Sequence, residues 1–103
     1  MDRIEKIQNM LKENPADSFL QHALALEYIK AGNDAGARKL FEIILKREPE
    51  YVGSYYHLAK LLERQLDEDA AIAVYKKGME AAKSAGDQHA FNELRSAYEE
   101  LTF

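Results

Sequence analysis

A chain of 103 residues bounds the molecule to one domain, and 47% hydrophobic with 31% charged residues is too apolar for composition-driven disorder. The net charge of −4 argues against a nucleic-acid partner, which would need a broad positive field; the basic pairs Arg38-Lys39, Lys46-Arg47 and Lys76-Lys77 all have acidic neighbours. Cysteine is absent, so disulfides, thiolate metal sites and thiol nucleophiles are excluded together. No apolar run approaches the roughly 20 residues that span a bilayer, and Met1-Asp2-Arg3-Ile4-Glu5-Lys6 lacks the form of a secretory leader. The expected address is the cytoplasm, without membrane attachment.

Residues 2–14 read as a helix carrying Ile7, Met10 and Leu11, closed by Pro15. Residues 18–51 read as two helices. The first bears Leu20, Leu24 and Tyr28 and ends near Ala31-Gly32-Asn33-Asp34, where Gly32 suits a left-handed stop and Asn33 or Asp34 can cap the next helix. The second bears Ala37, Leu40, Phe41, Ile44 and Leu45, a continuous helical face, and Pro49 closes it. Residues 52–85 run through the same sequence of events, with Tyr55, Leu58 and Leu62 on one helix and Ala71, Val74, Tyr75, Gly78 and Met79 on the next. Asp67, Glu68 and Asp69 fall near a helix start, where the macrodipole favours them. Residues 87–101 form a last helix with Phe91, Leu94 and Tyr98, reached through Lys83-Ser84-Ala85-Gly86-Asp87, a connection expected to be about two residues longer than the others.

An internal repeat underlies this order. A shift by one 34-residue period lays Leu24 on Leu58, Ala25 on Ala59, Tyr28 on Leu62, Ala37 on Ala71, Leu40 on Val74, Phe41 on Tyr75 and Leu45 on Met79. The same shift lays Ile7, Met10, Leu11 and Pro15 on Phe41, Ile44, Leu45 and Pro49, whereas the last helix follows at a 36-residue offset. The pattern resembles the tetratricopeptide repeat, whose first helix is marked by an aromatic, a leucine, a small residue and a tyrosine. Its second helix and exit are marked by an alanine, an aromatic and a proline. Departures are Gln21 in the aromatic slot of the first copy, and Leu62 and Lys83 in the tyrosine and proline slots of the second. The resemblance implies an all-α fold: antiparallel helix-turn-helix repeats stacked as a short right-handed α-solenoid of about six helices. Residues 1–103 would form one domain, with a half-repeat helix (2–14), two repeats (18–51 and 52–85) and a capping helix (87–101). Arg95 fills the small slot after Leu94, where it would keep a further helix away, so the chain reads as complete.

Function is expected to be non-catalytic binding. The few Ser and Thr carry no accompanying signature and no Gly-rich phosphate loop occurs, so no catalytic residue and no cofactor is expected. His22 and His57 lie about one repeat apart and could offer two metal ligands, but no third stands at metal spacing. They read instead as polar groove contacts, without a metal. In the family that the sequence resembles, the first helices line a concave surface that receives an extended peptide or a helix. By register, the partner-binding positions are Phe19, His22, Leu26 and Ile29 in the first copy, and Tyr56, His57, Lys60 and Arg64 in the second. Tyr56 is the expected anchor. The alternative is a homodimer in which Phe19, Leu26 and Ile29 meet a second copy. Some family members clamp a chaperone's C-terminal carboxylate with Lys and Asn where this chain has His22 and Leu26, which argues against an adaptor of that kind. Lys60 and Arg64 could still attract an acidic segment.

Overall fold

Three of the helix junctions in this chain are written by pairs of adjacent residues, one that stops a helix and one that starts the next. Residues 2–103 are described by the structure, a computed structural model. They form α1 (Arg3–Glu13), α2 (Ser18–Lys30), α3 (Asp34–Arg47), α4 (Gly53–Arg64), α5 (Glu68–Ala85) and α6 (Gln88–Thr102), with no strand among them. Every helix but α4 begins on an Asp or Asn whose side-chain oxygen accepts from a backbone N–H three residues on. Asp2 takes Glu5 at 2.8 Å, Asp17 takes Leu20 at 3.0 Å and Asn33 takes Gly36 at 2.9 Å. Asp67 takes Ala70 at 3.3 Å and Asp87 takes Ala90 at 3.0 Å.

Three of these caps directly follow a residue in the left-handed region: Gly32 (φ 79°), Leu66 (φ 61°) and Gly86 (φ 70°). The capping residue's own N–H then reaches back to close the preceding helix, Asn33 to the Tyr28 carbonyl at 2.8 Å, and Asp67 and Asp87 to Leu62 and Ala82 at 2.9 Å. One turn is thus used three times, and in one case with the wrong residue. A leucine at φ 61° is strained by its Cβ, and its side chain is 91% exposed, so packing returns little. Leu66→Gly is expected to raise stability by about 0.5–1 kcal/mol, the gain being trimmed by the greater freedom of glycine in the unfolded chain. A thermal midpoint that fails to rise would show the turn is not strained there.

The chain separates into two compact units, one ending at Arg47 and the other Glu48–Phe103. In the first, α1 packs on α2 and α2 on α3. Its buried apolar side chains are Ile7, Leu24, Ala25, Ala37, Phe41 and Ile44. The buried Gln21 explains how an amide replaces the expected aromatic: Nε2 donates to the Pro15 carbonyl at 3.0 Å, and Oε1 accepts from Arg47 Nη2 at 2.7 Å. Arg47 also lies 2.6 Å from Ser18 Oγ, tying the end of α3 to the start of α2. In the second unit, α4 packs on α5 and α5 on α6. Tyr55, one repeat period after Gln21, donates its hydroxyl to the carbonyl of Pro49, which stands one period after Pro15. The slot therefore does the same job in both copies, holding down the chain that enters the helix.

Ala25, Ala37, Ala59 and Ala71 are fully buried, in keeping with close approach of α2 to α3 and of α4 to α5. In α6 the buried residues are Leu94 and Ala97, while Phe91 and Tyr98, expected on the same stripe, are half-buried. The connection before α6 is not a longer loop. With Lys83 in place of a proline nothing halts α5, which continues to Ala85 and absorbs the extra residues as helix.

Candidate functional site

The second unit contains a cleft of about 360 Å³ between α4 and α6. Tyr56 and Lys60, one helical turn apart, form its α4 wall. The α6 wall is one stripe of that helix, with His89, Asn92, Glu93 and Ser96 leading to Ala97 and Glu100. The walls are mostly polar, and the Tyr56 ring is the large aromatic surface among them. That ring stands edge-on to His57 (centroids 5.7 Å apart, planes at 90°), and the Lys60 ammonium lies 5.7 Å from its centroid.

Lys60 also pairs with Glu63 at 3.7 Å, and Glu63 accepts a hydrogen bond from the buried Tyr75 hydroxyl. Burial, that bond and the surrounding negative charge, Glu100 included, push the Tyr75 phenol far above its usual range. His57 is shifted down by burial, with Glu93 opposing and Arg64 reinforcing, which favours the neutral imidazole near pH 7.

Of the residues expected from the sequence in this unit, Tyr56 and Lys60 line the cleft. His57 packs against Tyr56 from beside it, and Arg64, at the end of α4, is exposed. In the first unit, Phe19 is 72% exposed at the start of α2, whereas Leu26 and Ile29 are half-buried. The His22 ring meets the buried Phe41 ring edge-on, centroids 5.6 Å apart, so its imidazole has a packing role within the unit. Among the described residues no three His, Asp or Glu side chains gather as a metal cage, and no helix is long and apolar enough to cross a membrane.

The α6 wall was absent from the expected site, because that helix read as a cap. A signal for it exists: the 36-residue offset that lays Tyr55 on Phe91 also lays Tyr56 on Asn92 and Lys60 on Ser96.

No protein-family model matches the chain, and no curated protein does. Among solved structures, the chain is 42% identical to a tetratricopeptide repeat domain protein from Salinibacter ruber, with a TM-score of 0.81. The match covers 84% of this chain, with 88% of the chain in that protein's solution structure and 96% in its crystal structure. A Bordetella parapertussis protein solved in solution is 25% identical at a TM-score of 0.85, over 99% of this chain and 89% of that one. Helix pairs in a 34-residue register, and a relative at this identity over most of both lengths, lead to one conclusion: the chain belongs to the tetratricopeptide repeat family.

Proposed function

We propose that the protein is a non-catalytic interaction module that receives a peptide or helix of a partner protein in the α4–α6 cleft. The observation that carries this is the cleft itself: an aromatic ring and several hydrogen-bonding side chains left open to solvent by a helix pair whose apolar faces are otherwise buried. In the same reading α1 is the second half of an incomplete repeat, α2–α3 and α4–α5 are full repeats, and α6 is the first half of another. The face of α2 bearing Phe19, His22, Leu26 and Ile29 is a second contact surface, proposed separately for the first unit.

Tyr56→Ala is expected to weaken partner capture about 30-fold, the loss typical of a buried aromatic anchor, with helicity and thermal midpoint little changed. Quantitative mass spectrometry of proteins retained by the wild-type and variant chains reads the effect. An identical set of partners at equal yield would remove the cleft from the binding surface. The exposed Phe19 supports a second reading, a homodimer through Phe19, Leu26 and Ile29. A monomer mass by light scattering at all concentrations would remove that reading.

A further inference from the structure

Charge in the α4–α6 cleft selects among partners, and this step rests on reading the cleft as a peptide site. Glu93 and Glu100 stand on the same stripe of α6, two turns apart, which places them about 10 Å from each other along the helix axis. That is close to the rise of about 9 Å over three residues of an extended polyproline-type segment. The lysine in the opposite wall is shared with Glu63 at 3.7 Å and lies against the Tyr56 ring. Glu93 has the exposed His89 at 3.7 Å, a contact that is an ion pair only when that imidazole is protonated. The last turn of α6 has no basic residue, so the helix carbonyls add to the negative field beside Glu100.

Neighbouring side chains register this field. At His57, burial disfavours the charged imidazolium and Glu93 acts in the opposite direction. At Tyr75, where burial and the Glu63 bond dominate, Glu100 further disfavours ionisation. Asn92 accepts from Gln88 through its oxygen at 2.8 Å, which leaves its NH₂ as a donor suited to a peptide carbonyl. Read from Lys60 and Arg64 alone, the second copy would favour an acidic partner. The pairing of Lys60 and the carboxylates of α6 reverse that sign.

We propose that the cleft takes an extended basic segment of a partner protein. Its Lys or Arg side chains are set against Glu93 and Glu100, an aliphatic stem rests on the Tyr56 ring, and a backbone carbonyl meets Asn92.

The test is selection of a displayed random-peptide library on the full chain, with Tyr56→Ala as the counter-selection. Sequences enriched on the wild type and lost on the variant are expected to carry a net positive charge with Lys or Arg in excess. The best such peptide, synthesised with a fluorophore, should bind Glu93→Gln/Glu100→Gln about tenfold more weakly by anisotropy. Raising the salt from about 0.05 M to 0.5 M should weaken the wild type more than this variant. Both substitutions lie on an exposed helix face, so unchanged circular dichroism serves as the folding control. Enriched peptides that depend on Tyr56 but show no basic excess would overturn the charge assignment and leave the cleft as a peptide site. Absence of any Tyr56-dependent peptide would overturn both. A basic peptide that binds the double variant as tightly as the wild type would overturn the roles of Glu93 and Glu100.

Discussion

Stability is expected to fall steeply as the pH rises above about 10, by about 1.4 kcal/mol per pH unit for each tyrosine that stays protonated in the fold. Tyr75 is fully buried, and its hydroxyl donates to the Glu63 carboxylate. Burial, that hydrogen bond and adjacent negative charge hold the proton on the folded chain far beyond the ordinary phenol value. Tyr55 is shifted in the same direction, by burial and then by Glu50. Below pH 10 both tyrosines are protonated whether the chain is folded or not, and their stabilisation is complete. Above it the unfolded chain releases protons that the folded chain retains, so unfolding is favoured increasingly with pH. For a domain stable by roughly 5–15 kcal/mol, the slope from Tyr75 alone removes much of that margin within a few pH units of 10. Tyr75→Phe should cost about 1 kcal/mol at neutral pH through the lost hydrogen bond, yet flatten the alkaline fall, leaving what Tyr55 contributes. Urea midpoints of both proteins between about pH 8 and 12 measure this, and lysine titration common to both cancels in the comparison. Parallel curves for the two proteins would mean that Tyr75 ionises freely.

Most of the fold is legible in the sequence because it rests on periodic burial. Leu24, Ala25 and Phe41 are buried, and so are Leu58, Ala59 and Tyr75 at the same spacing in the second copy. Asn33 announces its cap by following Gly32, and Asp67 and Asp87 cap in the same way. What was not legible opposes local preference or joins distant residues. Leu66 takes a left-handed conformation that leucine disfavours, and only comparison with Gly32, one repeat period earlier, hints at it. The bonds from Arg47 to Ser18 and Gln21 bridge 29 and 26 residues, and no hydrophobic period encodes them. The candidate site was half legible. Tyr56 and Lys60 follow from the repeat register, but the α6 wall needs the same logic applied across the 36-residue step, beyond a helix end displaced by the lengthened α5.

Exchanging register partners shows where the repeat equivalence stops. Gly78 corresponds to Ile44, which is fully buried, yet Gly78→Ile is expected to destabilise the protein by about 4 kcal/mol. A Cβ at position 78 would sit 2.7 Å from Tyr55 Cβ, 3.0 Å from Tyr55 Cγ and 3.1 Å from Leu94 Cδ1. Tyr55 cannot swing aside cheaply, because the clash reaches the base of its side chain and its hydroxyl is tied to the Pro49 carbonyl. Leu94 is buried. Gly78→Ala is the sharper measurement, since two effects of opposite sign compete. Alanine gains about 1 kcal/mol of helix propensity, whereas overpacking costs about 1–3 kcal/mol. The clash wins by about 1 kcal/mol, which would lower the thermal midpoint by about 5 °C. A midpoint that rises instead would mean that α4 and α6 yield around position 78. Under the proposed peptide reading the consequence extends to binding, because Gly78 on α5 lies against residues of both helices that wall the cleft. A side chain there is expected to displace Tyr55 and Leu94, whose chain neighbours Tyr56 and Glu93 line the cleft. Gly78→Ala should therefore weaken the basic peptide about as much as loss of one carboxylate, a few-fold, although position 78 is buried and touches no ligand.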